Sequence, residues 1–83
     1  MTLDELRVDL ALILAQEEQH DTDWAVVEAL SEAAFVRLSE PETLKNFPRE
    51  DVIVYLAGHQ RRRFDRGFRE QQRQWLRTFL RAH

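Results

Sequence analysis

Two glycines and two prolines in 83 residues are the strongest constraint on what this chain can build. A many-stranded fold reverses direction often, and tight reversals draw on residues that tolerate positive φ or hold it near −65°. Scarce turn residues therefore favour helices joined by a few short connections. The chain has no cysteine, which removes disulfide staples and thiolate metal sites. Its apolar share of 43% is ordinary for a folded chain and too high for a disordered one. A chain this short holds one modest core. The expected architecture is all-α: a small bundle of four to five helices forming a single domain over residues 1–83.

The N-terminus, Met1-Thr2-Leu3-Asp4-Glu5-Leu6-Arg7, is acidic where a secretory signal would be basic. No apolar run approaches the roughly 20 residues that cross a bilayer. We therefore expect a cytoplasmic protein that does not engage membranes.

Helical periodicity marks most of the chain. The first helix is predicted from Leu3 to about Gln19, opened by the capping box of Thr2 and Glu5. Leu3, Leu6, Leu10, Ile13 and Leu14 share one arc, and Val8, Ala11, Leu12 and Ala15 form a second apolar strip on the other side. A helix apolar on two faces is either sandwiched or uses one face as an interface. The second helix is predicted from about Asp23 to Leu38, its apolar set being Trp24, Val26, Val27, Leu30, Ala33, Ala34, Phe35 and Leu38. Ser39-Glu40-Pro41-Glu42 matches a second capping box and predicts a short helix to about Asn46.

Pro48-Arg49-Glu50-Asp51 reads as an acidic first turn. The following Val52-Ile53-Val54-Tyr55-Leu56-Ala57 has strand propensity, but a lone strand has no partner to pair with, so helix is the expectation. Gly58 is either its C-cap or a bend into the last helix. That last helix, about Gln60 to Arg81, is predicted to carry arginines 62, 66, 69, 73 and 77 on one face and Phe64, Phe68, Trp75 and Phe79 on the other. The expected core is Leu6, Leu10, Ile13, Val27, Leu30, Ala34, Leu38, Leu56, Phe64, Phe68, Trp75 and Phe79.

Formal charge is strongly polarised. Residues 1–50 hold 12 acidic and 4 basic side chains, and residues 51–83 hold 3 acidic and 8 basic ones, giving −8 and +5. Either the basic segment is an anion-binding arm or the two halves neutralise each other inside one bundle. Arg62, Arg66, Arg69, Arg73 and Arg77 at helical spacing suit phosphates or a protein partner. Four aromatics on one face suit a core, and their separation from the arginines weakens a base-stacking role.

No nucleophile elbow, phosphate loop or paired-histidine zinc helix occurs, and no catalytic residue stands out. Glu17 and His20 form a Glu-x-x-His pair, but a di-iron site needs a second copy and further glutamates, and Asp21 and Asp23 lack the glycine and distant glutamate of a calcium loop. His59 beside Gln60-Arg61-Arg62-Arg63 has no titrating partner in sequence. We expect no metal and no cofactor. These features together point to a small non-enzymatic interaction protein that docks on a protein partner or on a second copy of itself through Val8, Ala11, Leu12 and Ala15. The alternative is a nucleic-acid-binding protein that uses the arginine-striped C-terminal helix.

Overall fold

The computed structural model describes residues 2–39 and 47–82. Five helices follow one another: α1 (Leu3–Glu17), α2 (Trp24–Leu38), α3 (Arg49–Ala57), α4 (His59–Phe64) and α5 (Arg66–Ala82), with no strand among the described residues. The chain is a small all-α bundle. Val52 to Ala57 is helical, as the lack of a pairing partner required. The short helix expected from Ser39 to Asn46 lies outside the described residues except for Ser39, which ends α2.

Local chemistry sets most helix starts. The Thr2 hydroxyl accepts the Glu5 backbone N–H at 3.1 Å, and Asp23 accepts those of Ala25 and Val26. Hydrogen bonding of the Thr2 side chain to the Glu5 carboxyl is the first reason that carboxyl titrates below its ordinary value. α1 and α2 form an antiparallel hairpin: Arg37, near the end of α2, pairs with Asp9 at 2.7 Å and with Glu5 near the start of α1. α5 lies along the other side of α1, and α3 and α4 pack against α2.

The core gathers Leu6, Leu10, Ile13, Leu14, Val27, Ala34, Leu38, Val52, Tyr55, Leu56, Leu76 and Phe79, with Leu30 and Trp75 packed against it. Trp75 stacks on Phe79 at 5.6 Å and lies 6.2 Å from Tyr55.

The C-terminal segment departs from expectation. It is not one rod from Gln60 to Arg81 but two helices, broken at Asp65, whose backbone is extended (φ −116°, ψ 103°). Asp65 acts as an N-cap for the second: its carboxylate accepts the Phe68 backbone N–H at 3.0 Å, and that bond is the first reason the carboxyl titrates below its ordinary value. The break resets the angular register. Phe64, expected in the core, is 77% exposed, and Phe68 is only half-buried.

The two glycines play opposite parts. Gly58 joins α3 to α4 with φ −86°, so it serves no left-handed turn. A Cβ there would lie 3.0 Å from the Val54 carbonyl oxygen, 3.2 Å from Arg62 Nη1 and 3.2 Å from the Phe68 ring. Gly67, on the exposed first turn of α5, would place a Cβ no closer than 3.6 Å to the Asp65 carboxylate. Gly58→Ala is therefore expected to destabilise the fold by about 1–2 kcal/mol through overpacking, while Gly67→Ala stabilises it by roughly 0.5 kcal/mol by restricting the unfolded chain. Urea unfolding followed by circular dichroism distinguishes the two signs. A stabilised Gly58→Ala would mean that the packing around the α3–α4 joint is loose.

Candidate docking face

The sequence-predicted arginine stripe does not stand together in solvent. Arg62 is fully buried: its Nε lies 3.0 and 3.1 Å from the two carboxylate oxygens of Glu17, itself only 2% exposed. The guanidinium carbon sits 3.9 Å above the Tyr55 ring, and Nη1 donates to the Tyr55 carbonyl. Tyr55 donates its hydroxyl to the same Glu17 carboxylate at 3.1 Å. Burial first, and the Glu17 charge second, push the Tyr55 hydroxyl above its ordinary range, so it remains a donor. Arg73 donates to the Glu17 backbone carbonyl at 2.7 Å and approaches its carboxylate at 3.6 Å, and Arg77 pairs with Glu18 at 3.0 Å. Arg69 donates to the Arg62 carbonyl at 3.3 Å. Of the five, only Arg66 is freely exposed.

These contacts share a logic. An α-helix leaves its last carbonyls without an internal partner, and a glycine in the left-handed region usually helps to satisfy them. Here the C-caps of α1, α2 and α3 all have negative φ. Guanidinium groups from other parts of the chain add to that work, beside the Thr22 hydroxyl on Glu17 and the Gly58 N–H on Tyr55. Arg73 serves Glu17 at the end of α1, and Arg49 serves Leu38 at the end of α2 at 3.2 Å. Arg62 serves Tyr55 in α3, Arg69 serves Arg62 in α4, and Arg7 serves Leu80 in α5 at 2.8 Å. Each guanidinium is a cation at the negative end of a helix dipole. A planar fork can serve a carbonyl and a carboxylate at once, which is a structural use for 11 arginines against one lysine.

A polar groove of about 450 Å³ lies beside this cluster, bordered by Glu18, His20, Thr22, Trp24, Arg66, Arg69, Glu70 and Arg73. Glu17 and His20 both reach its edge, but the Glu17 carboxylate is held inside the bundle by Arg62 and Tyr55. No group of three metal-ligating side chains occurs among the described residues. No described helix is long and apolar enough to cross a membrane.

The second sequence-predicted site stands differently. Val8, Ala11, Leu12 and Ala15 are all exposed on the outward side of α1, Leu12 at 51% and Val8 at 58%. α2 continues this surface. Because Val27, Ser31, Ala34 and Leu38 turn into the bundle, Ala25, Val26, Ala29, Ala33 and Val36 turn out, and all five are exposed. Val26, Ala29, Ala33 and Val36 follow a 3-4-3 spacing, which keeps them within about 80° of helix arc. A shallow furrow of about 80 Å³ between the helices has Asp9 and Leu12 on one wall and Leu30, Ala33 and Arg37 on the other. The hairpin therefore presents one apolar face built from two helices. The apolar set of the second helix suggests a wide buried face that includes Val26, Ala33 and Phe35, but all three are exposed, because the inward side of α2 is the narrower stripe of Val27, Ser31, Ala34 and Leu38. A second apolar depression, about 350 Å³, lies around Phe35, Val36, Leu56 and Ala57 between α2 and α3. No known protein family, curated protein or solved structure matches this chain.

Proposed function

We propose that this protein is a small helical docking module whose working surface is the outward face of the α1–α2 hairpin. The observation that carries this reading is the exposure of Val8, Ala11, Leu12 and Ala15 on α1 and of Val26, Ala29, Ala33 and Val36 on α2, with Leu12 and Ala33 meeting in one furrow between the two helices. A 15-residue amphipathic helix in a small bundle normally turns one stripe inward and charges outward. Two adjacent helices with apolar residues on both sides leave apolar surface in water, and such patches mark interaction sites. The buried ionisable groups, in contrast, are committed to one another: Glu17, Tyr55 and Arg62 are held together inside the bundle. Arg62, Arg73 and Arg77 are likewise engaged internally, which leaves fewer guanidinium groups to meet phosphates.

Site-specific photocrosslinking tests this. A benzophenone side chain is placed at Leu12 or Val36 in cells, with Gln71 and Gln74 on the exposed side of α5 as controls. Adducts, hetero- or homotypic, are expected at Leu12 and Val36 well above the controls. Equal labelling at all four positions, or none, overturns the assignment of the face.

A further inference from the structure

Resting on that reading of the face, we infer that its occupant is a single cationic amphipathic helix of another protein, with apolar residues at heptad spacing and lysine or arginine on its flanks. The charge around the patch selects it. Residues 2–39 contain nine carboxylates and two arginines. Arg37 neutralises Glu5 and Asp9, Arg62 takes Glu17, and Arg77 takes Glu18. Asp4, Asp21, Asp23, Glu28 and Glu32 remain with no ion-pair partner among the described residues. All five are exposed. Asp4 stands beside Val8 and Ala11, and Glu32 beside Val36. Asp21 and Asp23 close the end of the hairpin nearest Val26, and Glu28 lies on the side of α2 that borders His59 and Arg63 of α4. Arg37 also lies in the furrow, paired with Glu5 and Asp9, and Arg7 stands beside Asp4, so the strip has surroundings that are acidic on balance.

Charge and size both weigh against a second copy. An isologous pair would bring these acidic surroundings against their own twin, and like charges across an interface are unfavourable. Fifteen residues at 1.5 Å rise make each helix of the hairpin about 22 Å long. Two such helices set 8–10 Å apart offer a footprint on the order of 400 Å², about half of the 800 Å² per partner of a standard stable interface. One helix of about four turns laid along the furrow matches that length and width. Apolar contacts from Leu12 and Val36 would supply affinity, and the acidic surroundings would set orientation and reject acidic partners.

The experiment uses the purified full chain and three labelled four-turn synthetic peptides. One has leucines at heptad spacing flanked by lysines, the second has the lysines replaced by glutamates, and the third scrambles the first so that its leucines form no stripe. Fluorescence anisotropy should show the patterned lysine peptide binding about tenfold or more tightly than either of the others, less so at high salt. Leu12→Glu should abolish the binding. The double variant Glu28→Lys with Glu32→Lys, which touches only exposed positions, should erase the preference for lysine. Equal binding of patterned and scrambled peptides, no binding of the patterned lysine peptide, or a concentration-dependent dimer dissolved by Leu12→Glu would each overturn the inference. If crosslinks form at Leu12 and Val36 while the peptides are not discriminated, the partner class fails and the docking face stands. Absence of those crosslinks defeats the face itself.

Discussion

Glu17→Gln and Arg62→Met should each lower the unfolding free energy by about 3–5 kcal/mol, the cost of leaving one charge of a buried pair without its partner. Arg62 has no exposed surface, and Glu17 almost none, so neither can recover hydration after the substitution. For an 83-residue protein, whose total stability is roughly 4–12 kcal/mol, such a loss approaches unfolding. The double variant should cost clearly less than the sum of the two, with a coupling of about 2 kcal/mol or more, because it removes both charges together. It should not restore the parent, since the Tyr55 hydroxyl loses its charged Glu17 acceptor and the Tyr55 carbonyl keeps only the Gly58 N–H once the Arg62 donor is gone. A double-mutant cycle in urea measures this directly. Additive losses would show that the two side chains do not share one buried interaction. Among the described residues, the Arg73 guanidinium, 3.6 Å from Glu17, is the one other cation paired with it and near enough to soften the effect of losing Arg62.

The second large effect separates two aromatics that helical periodicity treats alike. Phe79→Ala should cost about 3–5 kcal/mol as a buried-aromatic deletion, because Phe79 is in the core and stacked on Trp75. Phe64→Ala should change stability by no more than about 0.5 kcal/mol, as exposed substitutions do. On an unbroken helix the two positions differ by only about 60° of arc and would behave similarly. The difference comes from Asp65. Its carboxylate starts a new helix at Arg66, so Phe64 belongs to the end of α4 and points into water. Comparable losses for the two variants in thermal or urea unfolding would mean that residues 59–82 behave as one rod.

The places where sequence reasoning succeeded and failed follow from what periodicity can encode. α1 was readable in detail, down to the Thr2–Glu5 cap and the inward set Leu6, Leu10, Ile13 and Leu14, because its inward stripe is larger and more regular than its outward one. α2 was readable as a helix, but the buried face its apolar set suggests is wider than the real one. Apolar residues occur nearly all round it, so only the neighbouring helices decide that Val27 and Ala34 turn in while Val26 and Ala33 turn out. The arginines at 62, 66, 69, 73 and 77 were found by spacing, yet spacing carries no information on whether a guanidinium meets solvent or a carbonyl forty or more residues away. Glu17 gave no sign of burial, since a glutamate at a helix end is ordinarily solvated. The one retrospective signal was the pairing of few glycines with many arginines, two facts that become one once the helix ends are seen to be capped by guanidinium groups.

From the order of its residues alone, this chain determined its class and the start of most of its helices. Those depend on contacts between residues two to four positions apart: caps, turn residues and amphipathic spacing. The tertiary structure alone decided the burial of the Glu17–Arg62–Tyr55 cluster and the joining of α1 and α2 into one outward apolar face. Each of those is a contact or an exposure set by elements distant in sequence. The free energy of a charge or an apolar side chain depends on what surrounds it in space, and that is decided only when the helices meet.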